Sequence, residues 1–88
     1  MKVETMTTSL GNPAANQFVI TDGSRRIFQS YSTVIAVIEN GKVTLDSEYW
    51  DYSATTGKYR NQFLGEGIAE TRAKIKSGEY ALADLQTM

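Results

Sequence analysis

The feature that most constrains the fold is a run of five apolar residues, Val34 to Ile38, followed after one residue by Asn40-Gly41. A short run rich in β-branched residues is typical of a strand that is covered on both faces. Asn-Gly favours a type I′ turn, because both central residues of that turn need positive φ. Residues 42–45 then alternate between polar and apolar side chains. The sequence therefore predicts an antiparallel hairpin over residues 33–45.

Three weaker β-strand patterns precede this hairpin. Residues 2–8 are predicted as an edge strand, and the chain is expected to break at residues 11–13, Gly-Asn-Pro, because proline lacks a backbone donor. Residues 17–21 and 26–31 are β-prone and flank Asp22-Gly23, a turn signal. They are predicted to pair as a second hairpin.

Two helices are predicted in the second half of the chain. The first begins near Ser53 or Thr55, where a hydroxyl can cap the exposed amides, and ends before Gly65. The second covers residues 66–77 and ends before Gly78, with acids in its early turns and lysines in its late ones, which suits the helix dipole.

Because the strands come before the helices, the predicted class is α+β in a single domain, residues 1–88. An antiparallel β-meander of hairpins over about residues 2–46 is followed by two short helices, within residues 53–78, packed on one sheet face. Residues 80–85 are expected to form a last turn. The other sheet face must be covered by loops, by the N-terminal segment or by a second subunit, so a homodimer is one expectation.

Composition excludes several classes of function. The chain has no Cys and no His, which removes disulfides, thiolate zinc sites, thiol nucleophiles and imidazole bases. We therefore expect no enzyme activity, no catalytic residue and no cofactor. With 9 Lys+Arg against 10 Asp+Glu, the net charge of −1 argues against a polybasic nucleic-acid binder.

The apolar segments are short. The N-terminus has no apolar stretch typical of a secretory signal, and a run of five residues is too short to cross a bilayer, which takes about 20 in a helix. A cytoplasmic protein without a membrane partner is the expectation.

Acids and aromatic residues alternate in the segment before the first helix. Asp46, Glu48 and Asp51 lie among Tyr49, Trp50 and Tyr52. A carboxylate desolvated by aromatic rings can act as an acid, and oxygen ligands suit Mg²⁺. The spacing matches no known metal loop, however, so a solvated loop is favoured and no metal site is expected.

Five of the nine aromatic residues lie within residues 49–63, around Arg60. Trp, Tyr and Arg dominate the energetics of protein interfaces. Trp50 and Phe63 are expected in the core, whereas core and surface positions are both open for the tyrosines. The predicted partner-binding residues are Asp46, Glu48, Tyr49, Asp51, Tyr52, Tyr59 and Arg60.

A basic segment gives an alternative function. Residues 58–76 carry five Lys or Arg against two Glu, a local charge of +3 that could contact nucleic-acid phosphates. No sequence signature of a nucleic-acid-binding module accompanies it. Gly65-Glu66-Gly67 follows a helix rather than a strand, so a helix corner is favoured over a phosphate loop.

Three segments form a distinctive set: the strand segment QSYSTVI at residues 29–35, the element WDYSxTTxKYxxxFLG that begins at Trp50, and the ending KIKSGEY. Through these segments, residues 27–80 resemble a family of small phage-encoded proteins. Phage accessory proteins of this size include inhibitors of host defence, among them anti-CRISPR proteins. By analogy, the resemblance implies a protein in the host-cell cytoplasm that binds a host protein or complex stoichiometrically and inhibits a defence nuclease.

Two interpretations of the WDYSxTTxKYxxxFLG element are open. It is a fold staple if Trp50 lies over the sheet between Tyr59 and Phe63, and a binding surface if its polar aromatic residues face outward. The solvent exposure of Tyr52, Tyr59 and Arg60 distinguishes the two.

Overall fold

The computed structural model describes residues 1–87 and has a mostly antiparallel sheet with two helices, which confirms the α+β class. Its strands follow one another across the sheet in chain order. The strands are β1 (Lys2–Thr7), β2 (Pro13–Asp22), β3 (Arg25–Ser30), β4 (Thr33–Glu39), β5 (Lys42–Asp46) and β6 (Ala81–Ala83), and the helices are α1 (Ala54–Leu64) and α2 (Ile68–Ser77). Within residues 1–87, neither helix is long and apolar enough to cross a membrane.

The hairpin of β4 and β5 forms as predicted. Glu39 pairs with Lys42 across Asn40 and Gly41, whose φ angles are 52° and 78°. Positive φ at both central residues is what a type I′ turn requires. The continuous apolar run is buried at its centre, with Ile35 and Ala36 fully inaccessible.

The ends of three elements, β2, β3 and α2, differ from the predicted ones, and in each case one residue determines where the element begins or ends. β2 begins at Pro13, inside the expected break and four residues before the predicted strand at residues 17–21, because proline is tolerated as the first residue of a strand. β3 ends at Ser30, since Tyr31 adopts φ 56° and turns the chain. α2 begins at Ile68 with Gly67 as its N-cap, so Glu66 lies in the corner between the helices.

The prediction of a last turn over residues 80–85 is wrong. Ala81–Ala83 forms β6, which pairs in parallel with Thr44–Asp46 at the edge of the sheet. Parallel neighbours need a long crossover, and the two helices supply it. A pattern of three residues is too short to predict a strand from the sequence. The formation of β6 therefore depends on its tertiary contacts.

The main core lies between the sheet and α1. Phe28 of β3 and Leu45 of β5 are inaccessible, and Tyr59 and Phe63 pack on them from the helix. The rings of Phe28 and Phe63 lie 5.8 Å apart at a tilt of 31°. Because Tyr59 and Phe63 are one helical turn apart, one helix face carries both.

The C-terminal segment covers part of the opposite face. Leu85 packs on Ile27 and Val37 in a second buried cluster. The side chain of Gln86 binds both the amide (3.0 Å) and the carbonyl (2.7 Å) of Val34. The chain itself therefore covers this region, and the homodimer stays a prediction.

We predict that Leu85→Ala lowers the free energy of unfolding by about 2–3 kcal/mol, because it removes the apolar cover of Ile27 and Val37. Leu10→Ala is the matched control, since Leu10 is exposed and the same change there should stay within about 0.5 kcal/mol. Urea unfolding followed by the fluorescence of Trp50 measures both. Equal midpoints for the two variants would contradict the assignment of Leu85 to the core.

Candidate functional site

The segment between β5 and α1, residues 47–53, is called the aromatic loop below, and Asp46 anchors its start. Asp46 Oδ2 accepts hydrogen bonds from the amides of Glu48 (3.1 Å) and Tyr49 (2.8 Å). Its Oδ1 accepts one from the amide of Leu85 at 2.8 Å. Asp46 is only 1% exposed, so this predicted partner-binding residue lies inside the protein and not on its surface.

Backbone donors keep Asp46 ionised in spite of its burial. Burial raises the pKa of this carboxyl, but the hydrogen bonds from the amides of Leu85, Tyr49 and Glu48 outweigh it, and the pKa lies below its usual value. Asp46 is therefore a fixed negative charge that shapes the loop and ties it to the C-terminal segment.

Arg60 anchors the other end of the aromatic loop from α1. Its Nη1 donates to the carbonyl of Trp50 (2.8 Å) and to Asp51 Oδ1 (3.0 Å). Its Nη2 donates to Asn61 Oδ1 at 3.0 Å, and the guanidinium lies 5.3 Å from the centre of the Trp50 ring. At 1% exposure, the predicted partner-binding residue Arg60 lies in the interior and fastens the loop from inside, which favours the staple interpretation for this residue.

The tyrosines divide between core and surface. Tyr59 is buried in the main core, so for this residue the staple interpretation holds. Tyr52 is 46% exposed, and the half-buried Tyr49 packs against it edge to face, with ring centres 5.4 Å apart. Of the seven predicted binding residues, the loop therefore presents Glu48, Asp51 and Tyr52 to solvent, with Tyr49 partly accessible.

Asp51 is exposed but not free. Besides its bond to Arg60, its Oδ2 accepts from Arg72 of α2 at 3.3 Å. Because two guanidinium groups compensate the charge of Asp51, most of the uncompensated negative charge of the loop lies on Glu48. Of the three predicted partner-binding acids, Asp46 is buried, Asp51 is exposed but bridged by two arginines, and Glu48 is exposed.

A groove lies between the aromatic loop and the two helices, and we call it the Arg72 groove. Tyr52 and Asp51 form its loop side, Lys58 and Asn61 come from α1, and Ile68 and Arg72 come from α2. Arg60 lies in its wall. Three cations, Lys58, Arg60 and Arg72, face one carboxylate, so the groove carries a net charge of +2.

A buried ionic cluster closes the corner between the helices. Glu66, with a nearly inaccessible side chain, accepts from Thr71 Oγ1 (2.6 Å), Lys74 Nζ (2.8 Å) and the Tyr80 hydroxyl (2.8 Å). Burial raises the pKa of Glu66, but these hydrogen bonds, led by Lys74, bring it below its usual value. The bond to Glu66 in turn raises the pKa of Lys74. Gly65-Glu66-Gly67 is therefore a helix corner, as predicted.

This cluster also reduces the basic face of residues 58–76. Lys74 is engaged by Glu66 and Glu70, and Arg60 is buried against Asp51. Of the five cations, only Lys58, Arg72 and Lys76 are exposed. The surface that nucleic-acid binding would use is smaller than the sequence indicates.

Sequence reasoning missed the partners that organise the site. Asp51 and Arg72 are 21 residues apart, and Glu66 and Lys74 are eight apart, beyond the i,i+4 spacing that a helix pattern reveals. Within residues 1–87, no three acidic side chains come together as a set that could hold a metal ion.

Residues 1–80 match the model of a protein family described as a family of unknown function. No curated protein and no solved structure gives a significant match to the chain. The matched region includes the aromatic loop, both helices and the Arg72 groove, and it ends just before β6.

We predict that Arg60→Ala lowers the free energy of unfolding by about 2–4 kcal/mol, because it leaves the Trp50 carbonyl and Asp51 without their buried donor. Arg72→Ala is the matched control, since it removes an exposed guanidinium from the same carboxylate and should cost less than about 1 kcal/mol. Chemical denaturation measures both. A larger loss in Arg72→Ala would contradict the role of Arg60.

We predict that stability depends on pH through Glu66. The folded-state pKa is below the unfolded value of 4.5, so the stabilisation is present above pH 4.5 and is lost as the pH falls through the folded-state pKa. Glu66→Gln should therefore destabilise the protein by about 1–3 kcal/mol at neutral pH, and by less at acid pH.

The control for this pH dependence is Glu70→Gln, because exposed Glu70 contacts the same Lys74 at 3.4 Å. Its unfolding free energy should follow the wild type at both pH values. If the difference between wild type and Glu66→Gln were the same at pH 7 and at acid pH, Glu66 would not be the titrating group.

Proposed function

The chain belongs to this family, DUF8033, and we propose that it acts as a stoichiometric binding protein that holds a protein partner on its aromatic loop, without turnover. The observation that carries the proposal is Tyr52, a large exposed side chain on a loop fastened at both ends. Rigid aromatic residues of this kind supply much of the binding energy in protein interfaces.

The fastening of the loop favours binding. Asp46 fixes the amides of Glu48 and Tyr49, and Arg60 fixes the carbonyl of Trp50. Ordering a mobile loop on association costs free energy for each immobilised side chain, about 0.5–1.5 kcal/mol. A loop that is already ordered avoids much of this cost.

The chemistry of the exposed groups suits a protein partner. The ring of Tyr52 offers an apolar face supported by Tyr49, and its hydroxyl offers a polar tip. Glu48 is an exposed charge on the same loop, and such a charge can set the orientation of a partner. Together they form a small mixed patch rather than a broad apolar one.

Neither Asp46 nor Glu66, the two buried carboxyls with a shifted pKa, is suited to act as a general acid or base. The carboxyls of Asp46 and Glu66 both have a lowered pKa, because hydrogen bonds to their charged forms outweigh burial. A general acid or base works best with a pKa near the working pH, and these two groups move away from it. The oxygens of both carboxyls also accept hydrogen bonds from donors within the protein.

The class of partner that we propose rests on the resemblance to small phage proteins. On that basis we propose a host protein or complex in the host cytoplasm, a defence nuclease among the candidates, whose activity the bound protein blocks. Binding of nucleic acid by residues 58–76 is the second candidate, and it is less favoured because two of the five cations serve internal pairs.

We predict that Tyr52→Ala weakens capture of the partner at least tenfold, with little change in melting temperature, because the lost ring is largely outside the core. The assay compares proteins retained from a bacterial lysate by immobilised wild type and variants. Tyr31→Ala is the control, because Tyr31 is also a tyrosine, is 55% exposed and lies outside the loop.

A protein retained by wild type and Tyr31→Ala but lost from Tyr52→Ala supports the proposal. Retention by all three would contradict the loop as the binding surface. Glu48→Ala is preferable to any change at Asp51 for testing the loop's charge, because Asp51 also holds Arg60.

A further inference from the structure

Resting on the proposed function, we infer that the Arg72 groove receives an acidic segment of the protein partner, with Asp or Glu carboxylates bound to Lys58 and Arg72. The groove adjoins Tyr52, so one partner can contact the aromatic loop and the groove together. The loop would supply the apolar anchor and the groove the charge recognition.

The first argument is the charge of the groove. Three cations against one carboxylate give +2 on a chain whose net charge is −1. The excess positive charge is therefore local, and it faces solvent at Lys58 and at Arg72, which is 65% exposed. A concave surface of one sign attracts groups of the opposite sign.

The second argument is that donors in the groove are available. Among residues 1–87, the ion pair that Arg72 makes is an exposed one with Asp51, and pairs of this kind contribute about 0–1 kcal/mol. An incoming carboxylate can take over the guanidinium at little loss, and an arginine fork binds a carboxylate with two hydrogen bonds. Asn61 uses its Oδ1 for Arg60, which leaves its amide NH₂ as a further donor.

The dimensions favour a short peptide over a long polyanion. The groove is a wide, shallow depression of about 660 Å³ that is open to solvent, so it can receive a short peptide segment without enclosing it. The groove holds two of the three exposed cations of residues 58–76, whereas a nucleic-acid strand needs a continuous basic path. The rest of the chain has a net negative charge, which would repel a nucleic-acid strand that extends beyond the groove. A single side-chain carboxylate bound inside the groove would not meet this repulsion.

The test is an NMR titration of ¹⁵N-labelled protein with acetylated hexaglutamate at low salt. We expect amide shifts confined to residues 51–61 and 68–72. Lys58→Gln combined with Arg72→Gln should weaken binding at least tenfold. The matched control, Lys42→Gln with Lys76→Gln, removes the same charge at two exposed sites outside the groove and should change binding less than twofold.

Three results would overturn the inference: no localised shifts, equal weakening by the control pair, or tighter binding of a twelve-residue oligothymidylate at the same amides, which would assign the groove to nucleic acid. The capture assay separates this inference from the proposed function. If Tyr52→Ala loses the partner while the Lys58 and Arg72 variant keeps it, the groove assignment fails and the loop assignment stands. If Tyr52→Ala keeps the partner, the proposed function fails.

Discussion

The buried guanidinium of Arg60 is the interaction on which the candidate site depends. It joins α1 to the backbone at Trp50 and to the carboxylate of Asp51, and it lies against the Trp50 ring. It is the buried link between α1 and the loop that carries Tyr52, beside the Ser53 cap of α1 and the exposed pair of Arg72 with Asp51. Both interpretations of the WDYSxTTxKYxxxFLG element therefore apply, to different residues. Tyr59 and Arg60 stabilise the fold, and Tyr52 is exposed to solvent.

Two buried acids also fix chain segments to one another in the crossover from β5 to β6. Asp46 fixes the end of β5 to the segment after β6, and Glu66 fixes the helix corner to Tyr80 just before β6. Each accepts three hydrogen bonds from the protein, which offsets the free energy of burying a carboxylate. A small domain without disulfides thus uses charged groups to position a weak edge strand.

The sequence predicts the parts of this fold that depend on local interactions. The type I′ hairpin follows from Asn40-Gly41, and the first helix follows from the Ser53 cap and from Gly65 with φ 72°. The parts it does not predict depend on partners far along the chain. Leu85 bonds Asp46 across 39 residues, and Gln86 bonds Val34 across 52. No local pattern predicts such pairs. For this reason the sequence predicts neither β6 nor the packing of the C-terminal segment on the second sheet face.

The same reasoning explains which site residues the sequence could identify. Composition singles out the aromatic loop, because aromatic residues are concentrated there, but burial depends on tertiary contacts and reassigns Asp46, Tyr59 and Arg60 to the interior. The central claim is that the loop is ordered before any partner binds. Backbone ¹⁵N relaxation of the free protein tests it most directly: the account predicts order parameters of about 0.85 at Glu48, Tyr49 and Trp50, and values below about 0.6 there would contradict it.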